Sequence, residues 1–332
     1  MLISPPKIKY PPYPDGMPHW RQHFISVEQI RDRRDLDEVI FPRAKRLQYM
    51  ANEEGASEAL KGKGLALLFY EPSTRTSSSF VMAIQRLGGM VDKNNGMDYS
   101  SAAKGESFED TIKTMAAYTD AIVIRSKQEG QAKKAAQISP VPIINAGDGK
   151  GEHPTQAVLD LLTIQRELKR IDGLTVTLVG DLKHGRTVHS LSRLLCLYDG
   201  IKLNLVSPKA LSMPEPLLAR LRGHGLQPYE HDRLDEVVSE SDVIYMTRVQ
   251  LERIPKEERP DQTPYVVTES TMAKAKPRDQ MILMHPLPRD SENGTPEIAV
   301  EVDDDPRAAY FRQTEYGMYA RMALLYLMLH GE

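Results

Sequence analysis

The chain of 332 residues is long enough for two medium domains, which suit an α/β pattern better than one large one. With 40% hydrophobic and 27% charged residues and a net charge of -3, it gives no reason to expect nucleic acid or an anionic membrane as partner, so any anion site must be built locally. The single cysteine, Cys196, excludes an internal disulfide, and no stretch reaches the ~18 apolar residues that span a bilayer.

Residues 1–23 are rich in proline and lack the apolar core of a signal peptide; they read as an extended tail or as a linker of a longer polypeptide, and the chain reads as cytoplasmic. Short apolar runs then recur: LALLFY (65–70), AIVIRS (121–126), VPIINA (141–146), LTVTLVGDL (174–182), KLNLVSP (202–208), VIYMTR (243–248) and MILMHPLP (281–288). Between them lie segments with helical spacing, such as Phe80, Ala83, Ile84 and Leu87 before Gly88-Gly89, and Leu191, Leu194, Leu195 and Tyr198 before Gly200. The alternation predicts an α/β chain of two domains, each a mostly parallel sheet flanked by helices. Residues 153–170 read as a helical bridge, and 306–329 as a largely helical C-terminal run. Cys196, in the apolar stretch SLSRLLCLY, reads as a core thiol rather than a nucleophile.

In FYEPSTRTSSSF (69–80) an apolar strand runs into hydroxyls and a guanidinium just before an amphipathic helix predicted over 76–87. Ser73, Thr74, Arg75 and Thr76 therefore gather at a helix N-terminus, where free N–H groups and the helix dipole favour a phosphate dianion. A capping Ser or Thr explains one hydroxyl but not the arginine. No G-x-x-x-x-G-K-[ST] or G-x-G-x-x-G pattern is present, so nucleotide chemistry loses ground.

NAGDGKGEHPTQAVLDL (145–161) leads a glycine-rich turn into His153 and Pro154 at a helix start. His153 and Gln156 would share the first turn and could hydrogen-bond a carbonyl or an amide; a surface histidine before a capped helix is the plainer alternative. A metal has little support, because neither a second His at ligand spacing nor a Cys accompanies His153. Arg125, Arg186, Arg248 and the segment HPLPR (285–289) fall at strand ends, where open α/β sheets bind ligands, although each arginine taken singly could be a solvated surface residue. Lys104, in DYSSAAKGESFED (98–110), precedes a helix beginning near Ser107.

Together FYEPSTRTSSSF, KGES, NAGDGKGEHPTQA, VGDLKHGRTVHSL, YMTRVQ, MHPLPR and DPRAAYFRQTEYGMYARMALL make residues 24 to 330 closely resemble the aspartate carbamoyltransferase family. The likeness is strongest to the transferase domain of the large eukaryotic multifunctional proteins of de novo pyrimidine synthesis. Ser77, where many bacterial relatives carry arginine, fits that subgroup. The resemblance implies a carbamoyl phosphate-binding domain over 24–152, completed by 306–332, and an aspartate-binding domain over 171–305. It implies transfer from carbamoyl phosphate to L-aspartate, giving N-carbamoyl-L-aspartate and phosphate, with no cofactor or metal.

By the same resemblance, Ser73, Thr74, Arg75 and Thr76 hold the phosphate; Arg125, His153 and Gln156 hold the carbamoyl group; and the backbone of Pro286 and Leu287 receives its amide. Arg186, Arg248 and Gln250, with Lys104, Leu287 and Pro288, belong to the aspartate site. Ser100 and Lys104 match a loop that enters the neighbouring subunit's site, which implies a homotrimer with shared sites and leaves pairing of trimers open. The catalytic set is Arg75, Thr76, Lys104, Arg125 and His153. Fusion to carbamoyl phosphate synthetase and dihydroorotase regions is implied for the longer polypeptide.

The nearest rival is ornithine carbamoyltransferase, whose relatives carry a cysteine in the segment corresponding to HPLPR, where this chain has Pro286. Arg186 and Arg248 suit a dicarboxylate and would repel the ornithine ammonium. A catalytically silent scaffold would be expected to have lost some of the matched polar residues. A phosphate-binding regulatory module would need only STRT and would leave the aspartate-site arginines without purpose.

Overall fold

The computed structural model describes residues 21–95, 105–248, 265–289 and 296–330. Two compact units are distinguished: a first that holds the described residues up to Leu159 together with those from Glu315, and a second formed by Asp160–Thr314.

In the first unit the strands β1 (Gly64–Phe69), β2 (Met90–Asn95), β3 (Ala121–Ser126) and β4 (Ile143–Asp148) form one parallel sheet in the order β2-β1-β3-β4. Leu65 to Phe69 are all buried, as expected of a parallel strand covered on both faces. Ala66, Leu68, Ile122, Ile124 and Ile143 make a core with Ile112 of α3 (Phe108–Tyr118) and Ala135 of α4 (Gln131–Ile138). β2 has no counterpart among the predicted strands, because MVDKNN lacks an apolar run; among the described residues β1 alone pairs with it. β4 begins two residues later than predicted and runs two further, to Asp148, where a bulge re-pairs it with Ser126. Pro142 can still offer its carbonyl, which accepts from Ile122, but it has no N–H of its own for the ladder.

The helix α2 (Thr74–Arg86) starts two residues before its predicted onset, with Ser73 extended at the N-cap. Sequence reading assigned nothing to the segment ahead of β1, yet a π-type turn Asp35–Ile40 runs into α1 (Phe41–Glu53). The C-terminal helix α9 (Tyr310–Leu329) meets both α1 and α2: Tyr319 donates to Asn52 at 3.0 Å, and Arg321 donates to Ser79 at 3.0 Å while lying over the Phe80 ring.

The second unit contains β5 (Thr175–Val179), β6 (Lys202–Val206), β7 (Pro228–His231), β8 (Val243–Met246) and β9 (Ile282–Met284), all parallel in the order β7-β6-β5-β8-β9. β7, missed by the sequence reading, is an edge strand opened by a proline, where a missing N–H costs little. β9 stops well short of the predicted 281–288 run, since Pro286 and Pro288 cannot donate to a ladder. The helices α5 (Pro154–Leu168) and α6 (Arg186–Leu195) precede and follow β5, and α7 (Glu215–Gly223) and α8 (Glu269–Lys274) complete the set. On the segment after α6, half-buried Cys196 donates its thiol to Ser192 O at 3.5 Å, and burial pushes its pKa up to about 12, which disfavours a nucleophilic thiolate although the residue is not fully in the core.

Phe80 is fully buried and ties α2 to α9. Phe80→Ala should lower stability by about 3–5 kcal/mol, read as a shift of the urea midpoint. A loss under about 1 kcal/mol would show that α2 is not anchored by this ring.

Candidate active site

β1 delivers the chain to Tyr70, whose N–H donates to Arg125 O at 2.9 Å, and Glu71-Pro72-Ser73 then turn it into α2. Ser73 has cap geometry but makes no side-chain cap hydrogen bond. The capping explanation of its hydroxyl therefore does not hold, and no N-cap side chain claims the N–H groups of the first turn. Thr74 and Arg75 are exposed, whereas Thr76 and Ser77 are buried. Although Arg75 is exposed by area, enough protein surrounds its guanidinium for desolvation to lower its pKa. This places a cation beside an N-terminal helix dipole, an arrangement that favours a dianion.

Arg125 pairs in register with Phe69 on the neighbouring strand. Its guanidinium lies 3.1 Å from Glu71, with both side chains largely buried, and donates to Ala146 O at 3.3 Å. Glu71 was not foreseen from sequence; an acidic residue next to a phosphate-type motif was the available signal. The pair holds the arginine at the shared C-terminal end of β1, β3 and β4.

The loop after β4 is fixed at several points. Asn145 accepts from the Gly147 N–H at 2.8 Å and donates to Ile25 O at 3.0 Å; Asp148 accepts from the Gly130 N–H at 2.8 Å. Glu152 accepts from both the Ser26 hydroxyl and the Val27 N–H at 2.8 Å. Gly149 has φ 55°, and a Cβ there would lie 2.7 Å from Lys127 O. So anchored, the chain delivers His153 at 4% exposure, with its carbonyl accepting from Gln156 and Ala157 as α5 begins at Pro154. His153 Nδ1 lies 3.5 Å from the Thr155 hydroxyl, and Gln156 is also buried. The surface-histidine alternative falls with that burial.

In the second unit, Gly180 (φ 114°) ends β5 where a Cβ would meet Thr247 O at 2.5 Å. Thr247 Oγ1 donates to Val179 O at 3.0 Å and accepts from the Asp181 N–H at 3.1 Å, stitching the ends of β5 and β8 together. Arg186, at 9% exposure, is the first residue of α6, and half-buried Arg248 lies two residues beyond β8. Val179 pairs with Met246, so the two arginines follow adjacent strands of one sheet, and the HPLPR segment follows the third, β9. Three predicted groups thus leave one end of the sheet.

Leu287 has φ 51°, and its peptide bond to Pro288 is cis. Arg289 clamps Asp303 through two bonds of 2.6 and 2.9 Å. Behind them runs a buried polar chain absent from the sequence reading: Tyr245 Oη and Gln313 Nε2 donate to the two oxygens of Asp160 at 2.8 and 2.7 Å, and Gln313 Oε1 accepts from the His285 N–H at 3.1 Å. An aspartate inside the apolar run AVLDLL was the one hint of it.

Ser100, Lys104 and Gln250 lie outside the described residues. Among the described residues, no three His, Cys, Asp or Glu side chains gather as metal ligands, and no helix is long and apolar enough to cross a membrane.

Comparison with known proteins bears on this arrangement. The family description "Aspartate/ornithine carbamoyltransferase, carbamoyl-P binding domain" matches residues 22–166, and "Asp/Orn binding domain" of the same family matches 172–328. The multifunctional protein pyr1-3 of Dictyostelium discoideum is 48% identical over 309 residues, 92% of this chain and only 13% of that much longer protein. The aspartate carbamoyltransferase catalytic subunit of Archaeoglobus fulgidus is 46% identical over 92% of this chain and 98% of its own length. A crystal structure of Trypanosoma cruzi aspartate transcarbamoylase in complex with N-(phosphonacetyl)-L-aspartic acid superposes with a TM-score of 0.86 at 42% identity, covering 93% of this chain and 96% of that one.

Near Arg186, His189 Nε2 lies 2.7 Å from Leu182 O, and burial holds its pKa below the usual 6.5. The unfolded chain takes up a proton there first, so the stability contributed by the neutral ring is full above that value and is lost as pH falls through and below it. The urea midpoint should drop between pH 7 and 5, and His189→Gln, which keeps a donor for Leu182 O, should flatten the drop. An unchanged slope in the variant would assign the acid sensitivity to other groups.

Proposed function

The chain belongs to the aspartate/ornithine carbamoyltransferase family, and from that premise we propose that it transfers the carbamoyl group of carbamoyl phosphate to L-aspartate, giving N-carbamoyl-L-aspartate and phosphate in pyrimidine biosynthesis. The observation that carries the choice of aspartate is the near-full-length identity to the Archaeoglobus fulgidus catalytic subunit. Arg186 and Arg248, leaving adjacent strands, support it as cations suited to a dicarboxylate.

In this reading residues 24–152, completed by 306–332, bind carbamoyl phosphate, 171–305 bind aspartate, and the helix over 153–170 joins them. Ser73, Thr74, Arg75 and Thr76 take the phosphate on the uncapped turn of α2, with Ser100 and Lys104 completing the site. Gln156 and the Pro286 and Leu287 carbonyls orient the carbamoyl amide. Arg186, Arg248, Gln250, Lys104, Leu287 and Pro288 orient aspartate.

The α-amine attacks the carbamoyl carbon, and charge grows on its oxygen. Thr76, Arg125 and His153 stabilise that oxyanion, with His153 as a hydrogen-bond donor rather than a base. As the C–O bond to phosphate breaks, Arg75 and Lys104 neutralise the departing dianion, and the phosphate can take the amine proton. Catalysis is thus positional and electrostatic and calls for no cofactor. Arg125 is already held by Glu71, so its guanidinium does not have to be ordered during the reaction.

The same reading makes the protein a cytoplasmic homotrimer whose Ser100–Lys104 loop serves a neighbouring subunit. The likeness to the Dictyostelium discoideum multifunctional protein, of which the chain spans about an eighth, favours a place beside carbamoyl phosphate synthetase and dihydroorotase regions.

The test is carbamoyl transfer by the isolated chain with L-aspartate or L-ornithine as acceptor, scored by carbamoylated product. Activity with aspartate alone is expected; activity with ornithine alone would reassign Arg186 and Arg248, and a folded chain inactive with both would point to a scaffold. Arg75→Ala and Lys104→Ala proteins, each inactive, should recover part of the activity when mixed. No recovery despite demonstrated subunit exchange would refute sites shared between subunits.

A further inference from the structure

The segment His285-Pro286-Leu287-Pro288-Arg289 carries a hydrogen-bonding constraint in its sequence. Both prolines lack an N–H, so Leu287 holds the only main-chain donor between His285 and Arg289. That donor goes to His285 Nδ1 at 2.8 Å. A ring nitrogen that accepts from an amide carries no proton, so the neutral imidazole has its proton on Nε2, which lies 3.7 Å from the buried Glu297 carboxylate.

The ring is itself held in place. His285 is 1% exposed, and its main-chain N–H donates to Gln313, which donates in turn to Asp160, itself held by the Tyr245 hydroxyl. What the ring holds is a non-glycine residue in the left-handed region, a conformation that persists only where neighbours impose it. On the other side Arg289 is tied to Asp303, so the segment is gripped at both ends and, in the middle, through one acceptor.

We infer that His285 is a positioning residue for carbamoyl transfer: its Nδ1 lone pair holds the Leu287 amide and so sets the direction of the Pro286 and Leu287 carbonyls. The effect on rate rests on the function proposed above. The effect on the backbone rests on the hydrogen bond alone.

Asparagine and glutamine separate the two ring nitrogens. Asn places its oxygen about where Nδ1 stands and can accept an amide two residues on, whereas Gln extends to about the place of Nε2, keeping a partner for Glu297 but no acceptor for Leu287. On the full chain, hydrogen exchange of the 285–289 peptide would be followed in wild type, His285→Asn and His285→Gln, beside kcat and KM for carbamoyl phosphate. Leu287 exchange should quicken by about tenfold in His285→Gln and stay within about threefold of wild type in His285→Asn. kcat/KM for carbamoyl phosphate should fall by about tenfold in the first and be largely kept in the second.

Equal Leu287 protection in the two variants, or equal activity despite unequal protection, would overturn the inference. So would loss of the fold in both, since the segment would then need the whole ring rather than its Nδ1. A wild-type chain that protects Leu287 but carbamoylates nothing overturns the proposed function, and with it the role of His285 in the reaction. A defect confined to His285→Gln supports both.

Discussion

Because the strands of each unit pair in parallel, every segment that follows a strand leaves from the same end of its sheet, and the rest of the structure builds on that constraint. In the first unit it gathers the start of α2, Arg125 and the loop to His153. In the second it gathers the turn to Arg186, Arg248 and the HPLPR segment. Residues scattered over more than two hundred positions of sequence thereby fall into two groups, each on rigid strand ends. The strands can serve in this way because their apolar runs are buried on both faces and leave polar chemistry to the loops.

Holding cations is the harder part of such an arrangement. With a net charge of -3 the chain offers no general pull on anions, so local design must supply it. Two solutions appear. Arg125 is held by Glu71 and a main-chain carbonyl in a mostly buried pair, which fixes its direction at the cost of part of its charge. Arg75 instead stands partly desolvated beside the uncapped turn of α2. In the proposed reaction the first would meet a neutral carbonyl that gains charge only in the transition state, and the second a ligand that is a dianion from the start.

The second unit shows the same division between rigid support and exposed chemistry. Tyr245, Asp160, Gln313 and His285 are deeply buried, and each hydrogen bond among them satisfies a group that would otherwise be costly in an apolar setting. Such a network has few alternative arrangements. It therefore transmits a definite position to Leu287, whose N–H donates to the His285 ring.

Most of the strands, the parallel pairing, the start of α5 at Pro154 and the polar groups at the strand ends were legible in the sequence. Apolar runs, glycines and prolines act locally, and their periods and positions carry to structure with little help from the rest of the chain. The edge strands β2 and β7 were not legible, because an edge strand needs little apolar sequence and owes its form to the neighbour that pairs with it. Tertiary structure alone decided that Glu71 holds Arg125, that His153 is buried rather than exposed, and that Asp160 meets Tyr245 and Gln313. Tyr245 and Gln313 stand 85 and 153 positions from Asp160 in the chain. No local pattern encodes a pairing at such separations, since what selects it is the cost of leaving each buried polar group unsatisfied once the whole unit has closed around it.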